Sequence, residues 1–216
     1  MIPYLAIPSG TGLIDFKTMA AIESARAAYP TMARRVQVCS LLAYAFNTLY
    51  ADALNQRKDG VTHFVMVHDD VAPQDKDGVC WLRVMEQEML IRGVPVLSAS
   101  VAVRGTLDSS AAVDTTPAAT RIPLKELNAK VGIHSRDCAL LINTGCLVID
   151  IRHEWAERLS FHVRDGIRKL KDGTFAPFVE PEDWELSRSL RRMGVPFAVT
   201  AAIETLHAGT HRWSSR

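Results

Sequence analysis

Residues 62–73, with the sequence THFVMVHDDVAP, constrain the fold of this chain more than any other stretch. Their apolar run is short and contains β-branched and aromatic residues, which favours a buried strand over a helix. A strand that is apolar along its whole length is typical of a parallel sheet covered on both faces. The triplet His68-Asp69-Asp70 follows this strand directly. We therefore expect the triplet at the carboxyl edge of the sheet, where open α/β sheets bind ligands.

Asp69 and Asp70 are adjacent carboxylates at the end of a buried strand. Such a pair repels itself and loses solvation unless a cation lies between the two groups. A hard divalent metal ion with phosphate oxygens would supply that cation, because such ions prefer oxygen ligands. The alternative interpretation is that both residues cap a loop and a turn, as Asp often does.

Composition limits the classes of protein to which the chain can belong. Its 216 residues are enough for one domain with a sizeable core. A formal net charge of +1 argues against nucleic-acid binding through bulk basicity but leaves room for a local basic patch. The four cysteines form no CxxC pair, which indicates reduced thiols in a reducing compartment. The sequence contains no charged leader and no apolar run of membrane-spanning length, so we expect a cytoplasmic protein without a transmembrane segment.

Strand and helix patterns alternate along the first half of the chain, which predicts an α/β fold with a mostly parallel sheet and helices on both faces. Predicted helices cover 15–29, 42–54, 78–91, 155–167 and 181–193, and predicted strands cover 4–7, 35–40, 64–67, 94–103 and 195–200. We expect an antiparallel contribution from 139–151, interrupted at Asn143-Thr144-Gly145. Residues 104–128 show no periodicity, which predicts a long functional lid or a disordered loop.

Two further patterns each allow two interpretations. Glu182 and Asp183 follow Pro181 at a predicted helix start, where acids complement the helix dipole whether or not they have another role. His207 and His211 have the spacing of zinc ligands on a helix, but Gly209 lies between them and no Glu follows His207.

The order of these motifs resembles that of the GT-A fold glycosyltransferases, which use nucleotide-diphospho-sugars, and most closely that of small bacterial members. The resemblance covers about residues 2–213 and includes a DxD-type strand end at His68-Asp69-Asp70. It also includes Asn143-Thr144-Gly145-Cys146, an ED motif around Glu182-Asp183, and a tail with His207-Ala208-Gly209. The ED motif and its spacing to the tail are the most specific part. One departure is His68, which replaces the first acid of the common signature and puts the usual nucleotide contact in doubt.

The resemblance implies a role for each matching residue. Asp70 and His207 would bind Mn²⁺ or Mg²⁺. Asp183 or Glu182, with Asp183 favoured, would face the reacting centre as a general base toward the acceptor hydroxyl or as a stabiliser of a cationic sugar centre. The residues that would contact the nucleotide are Ile7, Pro8, Ser9, Asn47, His68 and Asp69. The residues that would border the sugar or the acceptor are Arg104, Asn143, Thr144 and Gly145.

The resemblance further implies one GT-A-like domain over residues 1–216. Its nucleotide-binding half would cover about 1–103 and its acceptor half about 129–216. The expected activity is metal-dependent transfer of a hexosyl or N-acetylhexosaminyl group from a UDP-sugar to a sugar, lipid or protein, with retention favoured over inversion. Two alternatives stay open: a non-catalytic nucleotide-sugar-binding or regulatory protein on the same fold, and a metal-dependent phosphohydrolase or nucleotidyltransferase. No nucleic-acid partner is expected.

Overall fold

The computed structural model describes residues 1–115, 119–208 and 213–215. The α-helices in these ranges are α1 (Phe16–Ala28), α2 (Leu42–Asn55), α3 (Trp81–Arg92), α4 (Leu124–Lys130) and α5 (Glu182–Arg192). Short 3-10 helices cover Gln56–Asp59 and Glu154–Arg158. The strands are β1 (Pro3–Ser9), β2 (Ala33–Val38), β3 (His63–Val67), β4 (Val71–Pro73), β5 (Val96–Ala99), β6 (Asp108–Val113), β7 (Thr120–Pro123), β8 (Gly132–His134), β9 (Leu140–Leu141), β10 (Cys146–Asp150), β11 (Arg164–Lys169), β12 (Phe175–Glu180), β13 (Phe197–Thr200), β14 (Thr205–His207) and β15 (Trp213–Ser214).

A seven-stranded sheet forms the centre of the molecule, in the order β2-β1-β3-β10-β5-β13-β8. Strand β1 runs parallel to β2 and β3, and β5 runs parallel to β13. Strand β10 is antiparallel to β3 and β5, and β8 is antiparallel to β13. The predicted mixed α/β class with a mostly parallel sheet is therefore confirmed, as is the antiparallel contribution within 139–151.

Strands β1 and β3 bury both of their faces, because successive side chains point to opposite sides of the sheet. Tyr4 and Phe64 lie on one side, where they pack with Phe46 and Tyr50 of α2. This side also contains Leu186 and Leu190 of α5 and the ring of Phe161, which meets Phe46 edge-on with 5.5 Å between ring centroids.

The other face of the same strands packs against α1 and α3. Leu5 and Val65 point to this side and lie in one apolar cluster with Ile22 of α1 and Met85 of α3. The indole Nε1 of buried Trp81 donates a 2.8 Å hydrogen bond to the carbonyl of Ala21 and so joins the two helices. The uninterrupted apolar run of β3 is explained by this burial on both faces.

Two predictions of secondary structure were wrong. Residues 104–128 contain β6, β7 and the beginning of α4 rather than a loop without secondary structure. Strand β6 is built from small residues, so it lacks large apolar side chains at a regular spacing, and it is held by pairing with β7 and β9. Residues 155–167 form a 3-10 turn and the start of the β11–β12 hairpin rather than a helix. Gly173 in its turn has φ +87°, and Asp172-Gly173 was the overlooked hairpin signal.

A small sheet brings the end of the chain beside the acidic triplet. Strand β4, which begins directly after Asp70, pairs with β14 so that His207 lies opposite Val71. The amide of Ala208 donates a 2.7 Å hydrogen bond to the carbonyl of Asp70. The pairing register therefore fixes His207 next to the triplet.

None of the helices within the described ranges is both long and apolar enough to cross a bilayer.

We expect Gly132→Ala to destabilise the fold. Gly132 has φ +132°, and a Cβ there would lie 2.3 Å from the backbone oxygen of Val199 in the paired strand β13. We expect the free energy of unfolding, measured by urea denaturation, to fall by about 2–4 kcal/mol. The control is Gly10→Ala, where a Cβ would meet nothing within 4 Å. Equal stability of the two variants would contradict this account of strand β8.

Candidate functional site

The carboxyl ends of β1, β3 and β5 meet at one edge of the sheet, and most of the predicted site residues lie there. Ser9 ends β1, and His68 follows β3 by one residue. The segment 143–145 precedes antiparallel β10 and therefore reaches the same edge. The amide of His68 donates a 3.0 Å hydrogen bond to the carbonyl of Gly145, which joins the triplet to this segment.

Asp70 is the point at which three separate parts of the chain meet. Its carboxylate forms an ion pair with the guanidinium of Arg104. The same Oδ2 lies 3.5 Å from Nε2 of His207. Burial opposes ionisation of Asp70, but the nearby imidazoles of His207 and His68 and the guanidinium of Arg104 hold its pKa below the ordinary value. Asp70 is therefore an ionised carboxylate surrounded by nitrogen groups.

His207 is oriented by a bond on the far side of its ring. Its Nδ1 lies 2.8 Å from the carbonyl oxygen of Ala102, so Nδ1 carries the proton and Nε2 faces Asp70. A metal-binding histidine is usually held by such a bond to a carbonyl. Two donor atoms 3.5 Å apart fit bonds of about 2.1 Å to one divalent ion.

Asp70 and His207 are a fitting donor pair for a metal ion, but within the described ranges the structure has no cluster of three or more His, Cys, Asp or Glu side chains arranged to hold one. The predicted tail also includes Gly209 and His211, which lie outside the described residues. Arg104 is paired with the carboxylate, so the arginine would have to move when a metal ion binds.

Asp69 is held by the first strand and by the helix that follows it. The hydroxyl of buried Ser9 donates a 2.5 Å hydrogen bond to Oδ2 of Asp69, and the amide of Asp15 donates a 2.8 Å bond to the Asp69 carbonyl. Burial raises the pKa of Asp69 and neighbouring Asp70 adds to that rise, while the Ser9 bond opposes it. The Ser9 hydroxyl thus fixes the position of the Asp69 carboxylate at the site.

His68 packs into the sheet edge as a neutral ring. Its centroid lies 5.2 Å from that of Phe46, and its Nε2 lies 3.4 Å from Oγ1 of Thr144. Burial lowers the pKa of His68 to about 4, so the ring carries no charge at neutral pH. The first position of the triplet is therefore an uncharged aromatic group.

The polar atoms of Asn143 are already used within the protein. Its side-chain nitrogen donates to the carbonyl of Ala99, its Oδ1 accepts from the amide of Gly145, and its carbonyl accepts from the hydroxyl of Ser98. Gly145 fits tightly, because a Cβ there would lie 3.4 Å from methyl groups of Val71 and Val101. Asn143 and Gly145 therefore shape the backbone of the site. Both polar side-chain atoms of Asn143 are hydrogen-bonded within the protein, which does not favour the predicted contact with a sugar.

Three other predicted nucleotide contacts are buried or hydrogen-bonded within the protein. The Asn47 amide donates to the carbonyl of Phe161 and accepts from its amide, at 2.7 and 2.8 Å, and so holds the chain after β10 against α2. Ile7 is 1% exposed within the apolar core beside α1 and α3, and Pro8 is buried in the same strand. The structure assigns Ile7 to the core rather than to a ligand surface.

Asp183 lies in the first turn of α5, close to the segment that precedes β10. The carbonyl of Asp183 accepts from the hydroxyl of Ser187, which in turn accepts from the amide of Ile142. Burial raises the pKa of Asp183 from 3.8 to about 7, and the adjacent charge of Glu182 adds to the rise. Near neutral pH this carboxyl is therefore about half ionised, as suits a group that accepts or donates a proton.

Arg121 is a neighbour of Asp183 that sequence reasoning missed. Its guanidinium lies 5.7 Å from the ring centroid of Trp184, and its charge acts against the raised pKa of Asp183. Arg121 belongs to β7, within the segment predicted to lack secondary structure, so no pattern indicated its position.

A large cavity of about 790 Å³ lies at the opposite, amino edge of the parallel strands. It is lined by His63, Asp150, Arg152, His153 and Trp155 among others. Asp150 and Arg152 satisfy each other there through bonds of 2.6 and 2.9 Å. Ligands of open α/β sheets bind at the carboxyl edge, so we place the candidate site around Asp70 despite the size of this cavity.

No family model matches the chain, and no curated protein sequence matches it. Among solved structures, the crystal structure of A197 from STIV has a TM-score of 0.60 and 13% sequence identity, over 97% of this chain and 86% of that one. This likeness shows a shared fold. The structure of apo UDP-glucose pyrophosphorylase has a TM-score of 0.39 and 10% identity, over 87% of this chain and 63% of that one. At that TM-score the second likeness supports no conclusion.

The pKa of Asp183 predicts a specific dependence of stability on pH. The unfolded chain ionises this carboxyl near pH 3.8 and the folded chain only near pH 7, so between these values the folded state holds the extra proton. Raising the pH across this window therefore favours unfolding of the wild type, and Asp183→Asn removes that effect. By pH 8 the wild type should have lost about 3 kcal/mol relative to the variant, compared with their difference at pH 4.

Urea denaturation of both proteins at a series of pH values would measure this difference. Asp165→Asn, on the exposed strand β11, is the control and should follow the wild type. Parallel curves for the wild type and Asp183→Asn would show that the Asp183 carboxyl is not held protonated in the fold.

Proposed function

We propose that this protein is a metal-dependent glycosyltransferase of GT-A type that takes a UDP-sugar as its donor. The observation that carries the proposal is the convergence of Asp70, His207 and Arg104, which come from three distant parts of the chain, at the carboxyl edge of the parallel strands. A single ionised carboxylate with an oriented imidazole suits a divalent ion that shares its remaining positions with phosphate oxygens.

The order of the site elements along the chain also supports this proposal. The acidic triplet ends β3, the 143–145 segment enters β10, Asp183 begins α5 and His207 ends β14. The GT-A arrangement is our finer interpretation of the mixed α/β sheet.

Each group has a defined task in this proposal. Asp70 and His207 would hold Mn²⁺ or Mg²⁺, and the bound ion would supply a Lewis acid for the negative charge of a departing nucleoside diphosphate. Asp69, fixed by Ser9, binds the nucleotide next to the metal position. Arg104 leaves Asp70 and turns its charge towards the donor. Asp183 accepts the proton of the acceptor hydroxyl or stabilises a cationic sugar centre.

The donor is a UDP-hexose or UDP-N-acetylhexosamine, and the acceptor is a sugar, a lipid or a protein. We favour retention at the anomeric carbon.

We expect UDP to bind only together with Mn²⁺ or Mg²⁺. Isothermal titration of UDP, GDP and ADP with the full chain should give heat for UDP with Mn²⁺ and lose it on addition of a chelator. Asp70→Ala should weaken this binding by about a hundredfold or more, since even the loss of a residue that only supports a metal ligand costs up to that much.

The control for this titration is Asp165→Ala, which removes an exposed carboxylate from β11. Binding of UDP that is unchanged by chelator, or by Asp70→Ala, would contradict the proposed site.

Two observations favour a second function, a nucleotide-sugar-binding or regulatory protein without turnover. Arg104 already pairs with Asp70, and His68 adds no negative charge to the triplet. Both features limit the charge available to a metal ion. This second function predicts metal-dependent UDP binding in a protein that neither transfers nor hydrolyses the donor.

Asp183→Asn separates the two functions. For a transferase we expect the variant to bind UDP as the wild type does, while UDP release from a panel of UDP-sugars falls by about 10²–10⁴-fold. Glu182→Gln should cause a smaller loss, because Glu182 acts on the pKa of Asp183 through its adjacent charge. Binding without any turnover in the wild type would favour the regulatory protein.

A further inference from the structure

The β11–β12 hairpin presents an apolar face away from the rest of the protein. Its register places Asp165 opposite Val179, Ile167 opposite Pro177 and Lys169 opposite Phe175, so these six side chains share a face. Ile167, Phe175 and Val179 are 74%, 72% and 66% exposed. We call this surface the outward strip; it is unusual because contiguous exposed apolar groups generally mark a site of interaction.

The inward face of the hairpin is anchored to the body of the molecule. Glu180 forms a 2.8 Å ion pair with Arg188 of α5. Phe178 is half-buried and covers Gly166, where a Cβ would lie 3.1 Å from the ring. The Gly166 contact lies within the hairpin, and the Glu180–Arg188 ion pair ties the inward face to α5 while the outward strip faces away from it.

The tip of the hairpin is strongly basic. Residues 168–171 have the sequence RKLK, with three cations in four residues. Lys169 lies opposite the exposed Phe175, whereas Arg168 pairs with Ala176 on the inward face. The Asp172 carboxylate that follows turns back into the chain, where it accepts bonds of 2.9 and 2.6 Å from the amide and the hydroxyl of Thr174. A chain with a formal net charge of only +1 thus concentrates positive charge next to its exposed apolar strip.

We propose that the outward strip and the RKLK tip dock onto an anionic lipid bilayer. The apolar side chains would enter the boundary between headgroups and acyl chains, and the cations would pair with lipid phosphates. A second copy of the chain fits less well, because a two-stranded strip of six residues offers on the order of 200 Å². A stable dimer needs about 800 Å² from each partner. This inference does not depend on the proposed function at Asp70.

The test is sedimentation of the full chain with large vesicles of phosphatidylcholine alone or of equimolar phosphatidylcholine and phosphatidylglycerol. We expect binding to the anionic vesicles and little binding to the neutral ones. The double variant Lys169→Glu, Lys171→Glu should bind the anionic vesicles at least about thirty-fold less, since each lost basic residue contributes about fivefold and the new carboxylates are repelled. Ile167→Ser with Phe175→Ser should reduce binding about tenfold or more, because apolar insertion is lost.

Matched controls change the same residue types elsewhere on the surface. Leu90→Ser with Ile91→Ser alters two side chains that are 79% and 77% exposed on α3, and Lys58→Glu with Lys125→Glu repeats the charge reversal. Both control pairs should bind the vesicles far better than the matching hairpin pairs. Circular dichroism with thermal unfolding would confirm that every variant is folded. Asp70→Ala should sediment with anionic vesicles as the wild type does. A negative result for vesicle binding would therefore leave the glycosyltransferase proposal unaffected, and the reverse is also true.

Three results would overturn the proposal. The first is a wild-type protein that stays in the supernatant with anionic vesicles. The second is an equal loss of binding in the control pairs and the hairpin pairs. The third is a wild-type dimer, detected by sedimentation velocity, that Ile167→Ser with Phe175→Ser converts to monomer while vesicle binding is unchanged.

Discussion

Burial of strand β3 on both faces is the constraint on which the rest of the structure depends. The strand lies between β1 and β10, and helices cover it on each side, so its side chains from Phe64 to Val67 must all be apolar. Polar side chains are therefore excluded from this buried stretch, and His68, Asp69 and Asp70 follow directly where the strand ends. The triplet that follows is held there by hydrogen bonds from Asp15, Ser9 and Ala208, which belong to three other parts of the chain. The candidate site is thus a consequence of how the core is packed.

The electrostatic balance of the triplet explains why only Asp70 is suited to a metal ion. Asp69 shares its carboxylate with Ser9, and burial raises its pKa, while burial keeps His68 uncharged. Within the triplet, Asp70 is the carboxylate that combines a lowered pKa with an imidazole nitrogen at 3.5 Å. Arg104 neutralises this carboxylate in the structure, so binding of a cation would exchange one positive partner for another.

Hydrophobic patterns in the sequence were sufficient to predict the main strands and helices, because apolar spacing reports which faces are buried. The first predicted helix, over 15–29, and the break at Asn143-Thr144-Gly145 are both confirmed. Strand β6 could not be predicted, since its small residues depend on partners far away in the sequence. For the same reason the hydrogen bond between Asn47 and Phe161 could not be predicted from the sequence. A polar residue in a helix indicates that its side chain needs a hydrogen-bond partner, but the sequence does not identify that partner.

The most direct test of the central claim is the position of a bound metal ion. Crystals grown with UDP and Mn²⁺ would show the ion by its anomalous scattering at the manganese absorption edge. The account predicts a peak between Oδ2 of Asp70 and Nε2 of His207, with Arg104 displaced from the carboxylate. A manganese peak at another place on the molecule, such as the cavity beside Asp150 and His153, would contradict it. So would bound UDP with Arg104 still paired to Asp70 and no ion between Asp70 and His207.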